Sequence, residues 1–257
     1  MTFAELHHHT TPLLIANVWD ATSAVAAQQA GFQALGTSSA AIAAMLGYED
    51  GEALSFDELF YIVTRIKAVS NLPLSVDMEA GFGGTAKEIT ARLKRLVQSG
   101  VVGVNLEDSR VVNGMRQLVD AAEFARTLSD IRTELNNENL SLFLNIRTDA
   151  YLLNHAQPLQ ETLLRGQLYQ AAGVDGLFVP CLTSEKEMAI IADACPLPLN
   201  VMCMPDLPDF ENLKVAGFRR ISMGNFVHSA LQLTLKAVML NVLSQQSFAG
   251  VFAHESS

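Results

Sequence analysis

The 257-residue chain contains only three cysteines, Cys181, Cys195 and Cys203, and none forms a CxxC pair. An odd, widely spaced set excludes a closed disulfide framework and suits a reducing, cytoplasmic setting. Basic residues are scarce as well: 17 Lys and Arg stand against 27 Asp and Glu, a formal net charge of −10. That balance excludes the broad basic face that nucleic acid or anionic lipid requires, while leaving room for a local cationic pocket. Residues 1–11 lack the basic start and apolar core of a signal peptide, and no apolar run approaches the ~18–20 residues of a membrane span. Charged residues make up 17% and hydrophobic types 49%, which excludes a disordered chain. His7, His8 and His9 are adjacent, and on a loosely held N-terminal segment they read as incidental rather than metal-binding.

What is present is an alternation. Short apolar runs at 12–16, 34–37, 74–77, 102–106, 142–146, 176–179, 199–202 and 220–222 alternate with helical periods at 23–30, 56–69, 87–99, 120–135, 159–172 and 185–193. Ser55 with Glu58 and Ser184 with Glu187 have the form of a capping box and mark two helix starts. Asp20 caps a helix beginning near Thr22. Glycines at 31, 100, 173 and 217 follow helices, where a left-handed cap turns the chain into the next strand. No linker or composition break divides the chain, so residues 1–257 read as a single domain. Eight βα units with continuously apolar strands predict a (β/α)8 TIM barrel, with a doubly wound sheet as the alternative.

A barrel of this kind gathers its chemistry where strands end and βα loops begin. The third strand runs into Asp77-Met78-Glu79-Ala80-Gly81-Phe82-Gly83-Gly84, the fourth into Glu107-Asp108 and the fifth into Arg147-Thr148-Asp149. The second is followed by Thr37-Ser38-Ser39 and then by Glu49-Asp50. Asp50, Asp77, Glu79 and Glu107 therefore converge on one rim. Carboxylates crowded in a partly dry site must take up protons or bind a cation. Oxygen donors without His or Cys suit Mg²⁺, with Mn²⁺ as a substitute. Arg147 supplies a planar cation for a substrate carboxylate or phosphonate. The glycines after Glu79 lack the Lys-Ser/Thr of a P-loop and read as making room at the site.

These segments carry a resemblance. Asn17-Val18-Trp19-Asp20-Ala21, Gly36-Thr37-Ser38-Ser39-Ala40, Leu46-Gly47-Tyr48-Glu49-Asp50, Val76 to Gly83, Gly103 to Ser109 and Asn145 to Ala150 occur in the order and approximate spacing of the isocitrate lyase/phosphoenolpyruvate mutase superfamily, which the chain resembles over nearly its whole length. The resemblance implies a (β/α)8 barrel, a homotetramer (or dimer) with the last helix exchanged between neighbours, Mg²⁺, and a small 2-oxo or 2-hydroxy acid. By the same analogy Asp77 is the direct metal ligand, and Glu79, Glu107 and Asp50 act on the metal through water. Ser38, the backbone at Ser39, and Arg147 bind the substrate carboxylate, while Arg147, Asp50 and Glu107 take part in the chemistry.

The chain departs from the lyase branch in the lid. Where that branch carries Lys-Lys-Cys-Gly-His, this sequence reads Ser109-Arg110-Val111-Val112-Asn113-Gly114-Met115-Arg116-Gln117-Leu118. Without the lid cysteine, isocitrate or methylisocitrate lyase activity is not expected, and the chain reads as a short, phosphonomutase-like branch. Asn113 is cast as a substrate-binding asparagine by analogy with the mutases, or as a plain turn residue. Arg110 and Arg116 flank that turn, placed either to close over an anionic substrate or, as is common for arginines on a loop, to be solvated. The expected function is Mg²⁺-dependent cleavage of a C–C bond in an oxaloacetate-like acid through an enolate. The alternatives are P–C chemistry of the phosphoenolpyruvate mutase or phosphonopyruvate hydrolase kind, and a non-catalytic metabolite-binding barrel. No nucleic-acid or membrane partner is expected.

Overall fold

A computed structural model describes residues 1–51 and 53–252. In chain order the elements are α1 (Phe3–Leu6), β1 (Leu13–Leu14), β2 (Ala16–Val18), α2 (Ala21–Gln29), β3 (Leu35–Thr37), α3 (Ser39–Leu46), α4 (Phe56–Val69), β4 (Leu74–Asp77) and α5 (Ala86–Gln98). They continue with β5 (Gly103–Glu107), β6 (Ser109–Val112), β7 (Met115–Leu118), α6 (Ala121–Asn137), β8 (Phe143–Arg147), α7 (Pro158–Ala171), β9 (Gly176–Phe178), α8 (Glu185–Ala194), β10 (Leu199–Met202), α9 (Phe210–Val215), β11 (Phe218–Ser222) and α10 (Phe226–Gln245).

Nine strands form one parallel sheet in the order β1-β11-β10-β9-β8-β5-β4-β3-β2. Its two ends are halves of a single extended stretch. Leu13 and Leu14 pair with Arg220 and Ile221, while Ala16, Asn17 and Val18 pair with Leu35, Gly36 and Thr37. Residues 13–18 thus close the sheet on itself as one stave of a (β/α)8 barrel, and the remaining strands supply seven more. Helices α4, α5, α6 and α8 turn Leu59, Val63, Ile66, Leu93, Leu96, Leu128, Ile131, Met188 and Ile191 onto the barrel, all of them fully buried. Their starts follow from side-chain caps: Ser55 accepts from the Glu58 amide, Ser184 from Glu187 and Asp20 from Ser23.

The N-terminal segment is not loosely held. Thr2 and Glu5 form a capping box, and Phe3 and His7 are buried against the floor of the barrel. The His7 ring stacks on Phe143 with centroids 4.1 Å apart, and its Nδ1–H donates to the Phe3 carbonyl at 2.9 Å. Gly103 is what admits this plug: a Cβ there would lie 2.6 Å from the Phe3 ring.

The other end of the chain differs from expectation as well. α10 is twenty residues long and, by length and composition, apolar enough to cross a membrane, where no apolar run of that length was expected. Gln232, Lys236 and Asn241 interrupt it. Of its residues only His228 is buried, its ring set edge-on to Trp19 at 4.9 Å. Leu231, Leu233, Leu240 and Leu243 are exposed.

Candidate active site at the barrel rim

The C-terminal ends of β3, β4, β5 and β8 lie side by side, and register sets their last residues against one another. Asp77 is level with Asn105, and Glu107 with Arg147. Asp77 Oδ2 accepts from Ser39 Oγ at 2.8 Å and from the Ser39 amide at 3.4 Å, while the Asp77 amide donates to Thr37 Oγ1 at 2.8 Å. Ser38 caps α3, accepting from the Ala41 amide. The first turn of α3, with its positive dipole end, is thereby fixed beside Asp77.

After β4 the backbone turns sharply. Glu79, Gly81 and Phe82 all have positive φ, at 47°, 103° and 56°. Two of these are side-chain-bearing residues in a costly conformation, such as clusters at functional sites. Gly81 is obligatory, since a Cβ there would sit 2.8 Å from Ile89. The turn is held because the Glu79 carbonyl accepts from the Glu107 amide at 2.8 Å, and Glu79 is itself buried.

Glu107 is buried between two guanidiniums. Arg147 Nη1 lies 3.2 Å from its Oε2, and Arg116 Nη1 is bonded to its Oε1. Burial pushes the Glu107 carboxyl up, as do Asp149 and Asp77, while the two arginines pull it back. Asp50, on the loop after α3, is 3.6 Å from Arg116 Nη2. Burial and the charge of Asp77 raise its proton affinity. Arg147 is fixed from its other side by Asp149, whose Oδ1 accepts from Nε at 2.6 Å. Beneath the rim the barrel is polar: Asn145 donates to Asn105 and Asn200, and Arg220 donates to Asn105 at 3.3 Å.

The structure brings Ser38, Ser39, Asp50, Asp77, Glu79, Glu107 and Arg147 to one rim. Asn113 does not join them. With Gly114 it makes the two-residue turn between β6 and β7, with φ of 52° and 76° and an exposed side chain. Those angles are the type I′ turn that Asn-Gly favours, so its side chain is spent on geometry. Trp19 faces an apolar groove beside α2 and α10 rather than this rim. The role of Asp149 had no signal in the sequence, and of the two readings open for Arg116 the structure favours the inward one. Asp149 is buried and orients Arg147. Arg116 points inward because β7 alternates, with Met115 and Gln117 outward and Arg116 and Leu118 inward. The stretch 109–118 is thus an antiparallel hairpin laid over the site, whose cavity of about 360 Å³ is lined by Glu79, Phe82, Gly83, Glu107, Arg110 and Val111.

Among the described residues no three His, Cys, Asp or Glu side chains are grouped closely enough to hold a metal ion by themselves. The donor set still fits Mg²⁺, which keeps several waters and takes one or two protein carboxylates. Asp77 stands nearest the α3 terminus with an oxygen already oriented, and the mutual repulsion of Asp50, Asp77 and Glu107 is what a divalent cation relieves.

Comparison with known proteins agrees with this architecture. The family model described as phosphoenolpyruvate phosphomutase matches residues 3–243. The 2-methylisocitrate lyase of Salmonella typhimurium is 30% identical over 200 residues, covering 73% of this chain and 64% of that protein. The oxaloacetate decarboxylase of Paraburkholderia xenovorans is 30% identical over 232 residues, covering 87% and 74%. A crystal structure from Burkholderia cenocepacia J2315, provisionally named a phosphonomutase, is 35% identical with a TM-score of 0.87, covering 92% of this chain and 97% of that one. The barrel, its acidic rim and the match along nearly the whole chain lead to one conclusion: this protein belongs to the isocitrate lyase/phosphoenolpyruvate mutase superfamily, whose members are lyases and mutases.

Proposed function

We propose that the protein is a Mg²⁺-dependent lyase that cleaves a C–C bond in a small, oxaloacetate-like 2-oxo or 2-hydroxy acid. The observation that carries this reading is the buried Glu107 set against Arg147 beside Asp77, with the α3 terminus adjacent. Asp77 would hold the metal directly, and Glu79, Glu107 and Asp50 would act on it through water. When bound, the cation supplies Lewis-acid stabilisation of the negative charge that develops as the C–C bond breaks. Arg147 binds the substrate carboxylate, held in position by Asp149 and Glu107 so that little reorganisation is needed. Ser38 and the backbone at Ser39 bind the same carboxylate at the positive end of the α3 dipole. The hairpin excludes water from the reacting end.

P–C bond chemistry on a phosphonate is the second reading. It is favoured by the 35%-identical B. cenocepacia protein, provisionally named a phosphonomutase, and by the same cationic rim. The three free cysteines fit a reducing cytoplasm. The exposed apolar face of α10 fits a homo-oligomer in which this helix packs on a second copy.

The test is incubation with Mg²⁺ and a panel of oxo-acids, hydroxy-acids and phosphonates, with products followed by NMR. Turnover of a C–C substrate is expected, and turnover of a phosphonate alone would transfer the assignment to the second reading. Asp77→Ala is expected to lower metal affinity by roughly 100-fold or more, since loss of merely supporting groups already costs ~10–100-fold. A folded Asp77→Ala protein with an unchanged metal titration would remove Asp77 as ligand.

A further inference from the structure

Arg116 differs from Arg147 in what holds it. Arg147 ends a central barrel strand, whereas Arg116 is carried by a hairpin whose neighbouring residues are largely exposed: Met115 at 62% and Val112 at 47%, against 16% for the Arg116 side chain. Its guanidinium is shared between carboxylates. Nη1 binds Glu107, lies 3.7 Å from Asp149 and donates to Ser109 Oγ at 3.1 Å, while Nη2 faces Asp50 at 3.6 Å. Its aim is set from above as well. Val111, its cross-strand partner, leans on the Asp50 loop so closely that a Cβ on Gly51 would meet it at 2.8 Å.

Two guanidiniums thus flank Glu107 from opposite oxygens, one from the barrel and one from the cover. A substrate with a single anionic end needs only one of them. We propose that Arg116 is a specificity-determining residue that reads the second anionic group of a dianionic substrate, an oxo-acid with carboxylates at both ends. This assignment rests on the functional reading above and extends it to a residue from the hairpin. Guanidinium suits the task because its planar fork can keep one edge on Glu107 while another takes an oxyanion. The same guanidinium competes with a divalent cation for Glu107 and Asp50, so Arg116 couples metal affinity and substrate choice in opposite directions.

The experiment compares wild type, Arg116→Gln and Gln117→Ala, the last altering the outward face of the same strand. Mn²⁺ alone is titrated by electron paramagnetic resonance. Binding of 3,3-difluorooxaloacetate, with two carboxylates, and pyruvate, with one, is then measured on the Mn²⁺-loaded proteins. Arg116→Gln is expected to bind Mn²⁺ severalfold more tightly, to lose roughly 10- to 100-fold in affinity for the dianion and to keep its affinity for pyruvate within about threefold. Gln117→Ala is expected to match wild type throughout. A merely structural role for Arg116 would weaken both oxo-acids equally and leave Mn²⁺ unchanged or weaker, which would overturn the proposal. So would an unchanged preference for the dianion. If wild type bound no Mn²⁺, the functional reading itself would fall and take this assignment with it. Mn²⁺ and oxo-acid binding that ignore Arg116 would overturn the assignment alone.

Discussion

Asp77 and Glu107 belong to adjacent strands, yet their charges are met by different chemistry. A serine hydroxyl and amide satisfy one oxygen of Asp77, whereas guanidiniums take both oxygens of Glu107. The positions of both acids were legible in the sequence, because a barrel gathers its strand ends whatever the loops do. The aim of Arg116 was not legible, since a side chain's direction on a loop has no period to read. It follows only once 109–118 is known to alternate. His7 was misread for a related reason: three consecutive histidines look like a tail, and nothing local announces that one stacks on Phe143. Burial first, then the charge of Arg220, lowers its pKa to about 3. The unfolded chain takes up this proton near 6.5, so between pH 6.5 and 3 the unfolded state binds more protons and stability falls on acidification, by up to about 1.4 kcal/mol per pH unit. The stability difference between wild type and His7→Leu is therefore expected to move in favour of the variant as pH is lowered from 7 to 4. Thermal unfolding across that range measures it, and a pH-independent difference would contradict it.

Strands and capped helices were the legible elements. Ser55, Ser184 and Asp20 announce their helices by side-chain chemistry that acts within one turn. α3 was not legible, because Ser-Ala-Ala-Ile-Ala-Ala-Met-Leu is apolar all round and carries no helical stripe. The β6–β7 hairpin was signalled by Asn113-Gly114 between strand-forming residues. What anchors this region is Asp108, fully buried, which accepts from Arg165 at 3.0 Å, Tyr169 at 2.7 Å and the Asp149 amide at 2.9 Å. It ties the end of β5 to α7. Asp108→Ala leaves the Arg165 guanidinium buried with Glu161 as its remaining ion pair. The expected loss is about 3 kcal/mol of unfolding free energy, at the lower end of the range for breaking a buried pair. Urea unfolding measures it, and a change below about 1 kcal/mol would show that the remaining partners suffice.

For the molecule as a whole, the unresolved demand lies at α10. Most of this twenty-residue, Leu-rich helix is exposed, and the apolar groove of about 460 Å³ beside it, lined by Trp19, Ala26, Ala27, Phe32 and Val227, is chemically alike; contiguous apolar surface of this kind marks an interaction site. The polar residues within α10 suit a protein partner better than lipid, where each would need satisfaction. The barrel was legible from alternation alone, but the exposed placing of α10 was not, because an apolar helix reads identically whether it enters the core or lies on the surface. Leu240→Glu combined with Leu243→Glu is expected to reduce the solution mass, measured by light scattering, from a multiple of the protomer to one. An unchanged mass would exclude this face as the interface.

The hairpin has a consequence for how such an enzyme can change. Its two ends are stapled at the base, where the Val119 amide donates to the Asp108 carbonyl at 2.9 Å. The exposed tip of the hairpin, Val112 to Met115, therefore lies outside the path of the barrel on either side. On the proposed reading, reactivity belongs to the staves and choice of molecule to the hairpin that covers them. The fold works as a socket, and a new preference needs only a new plug.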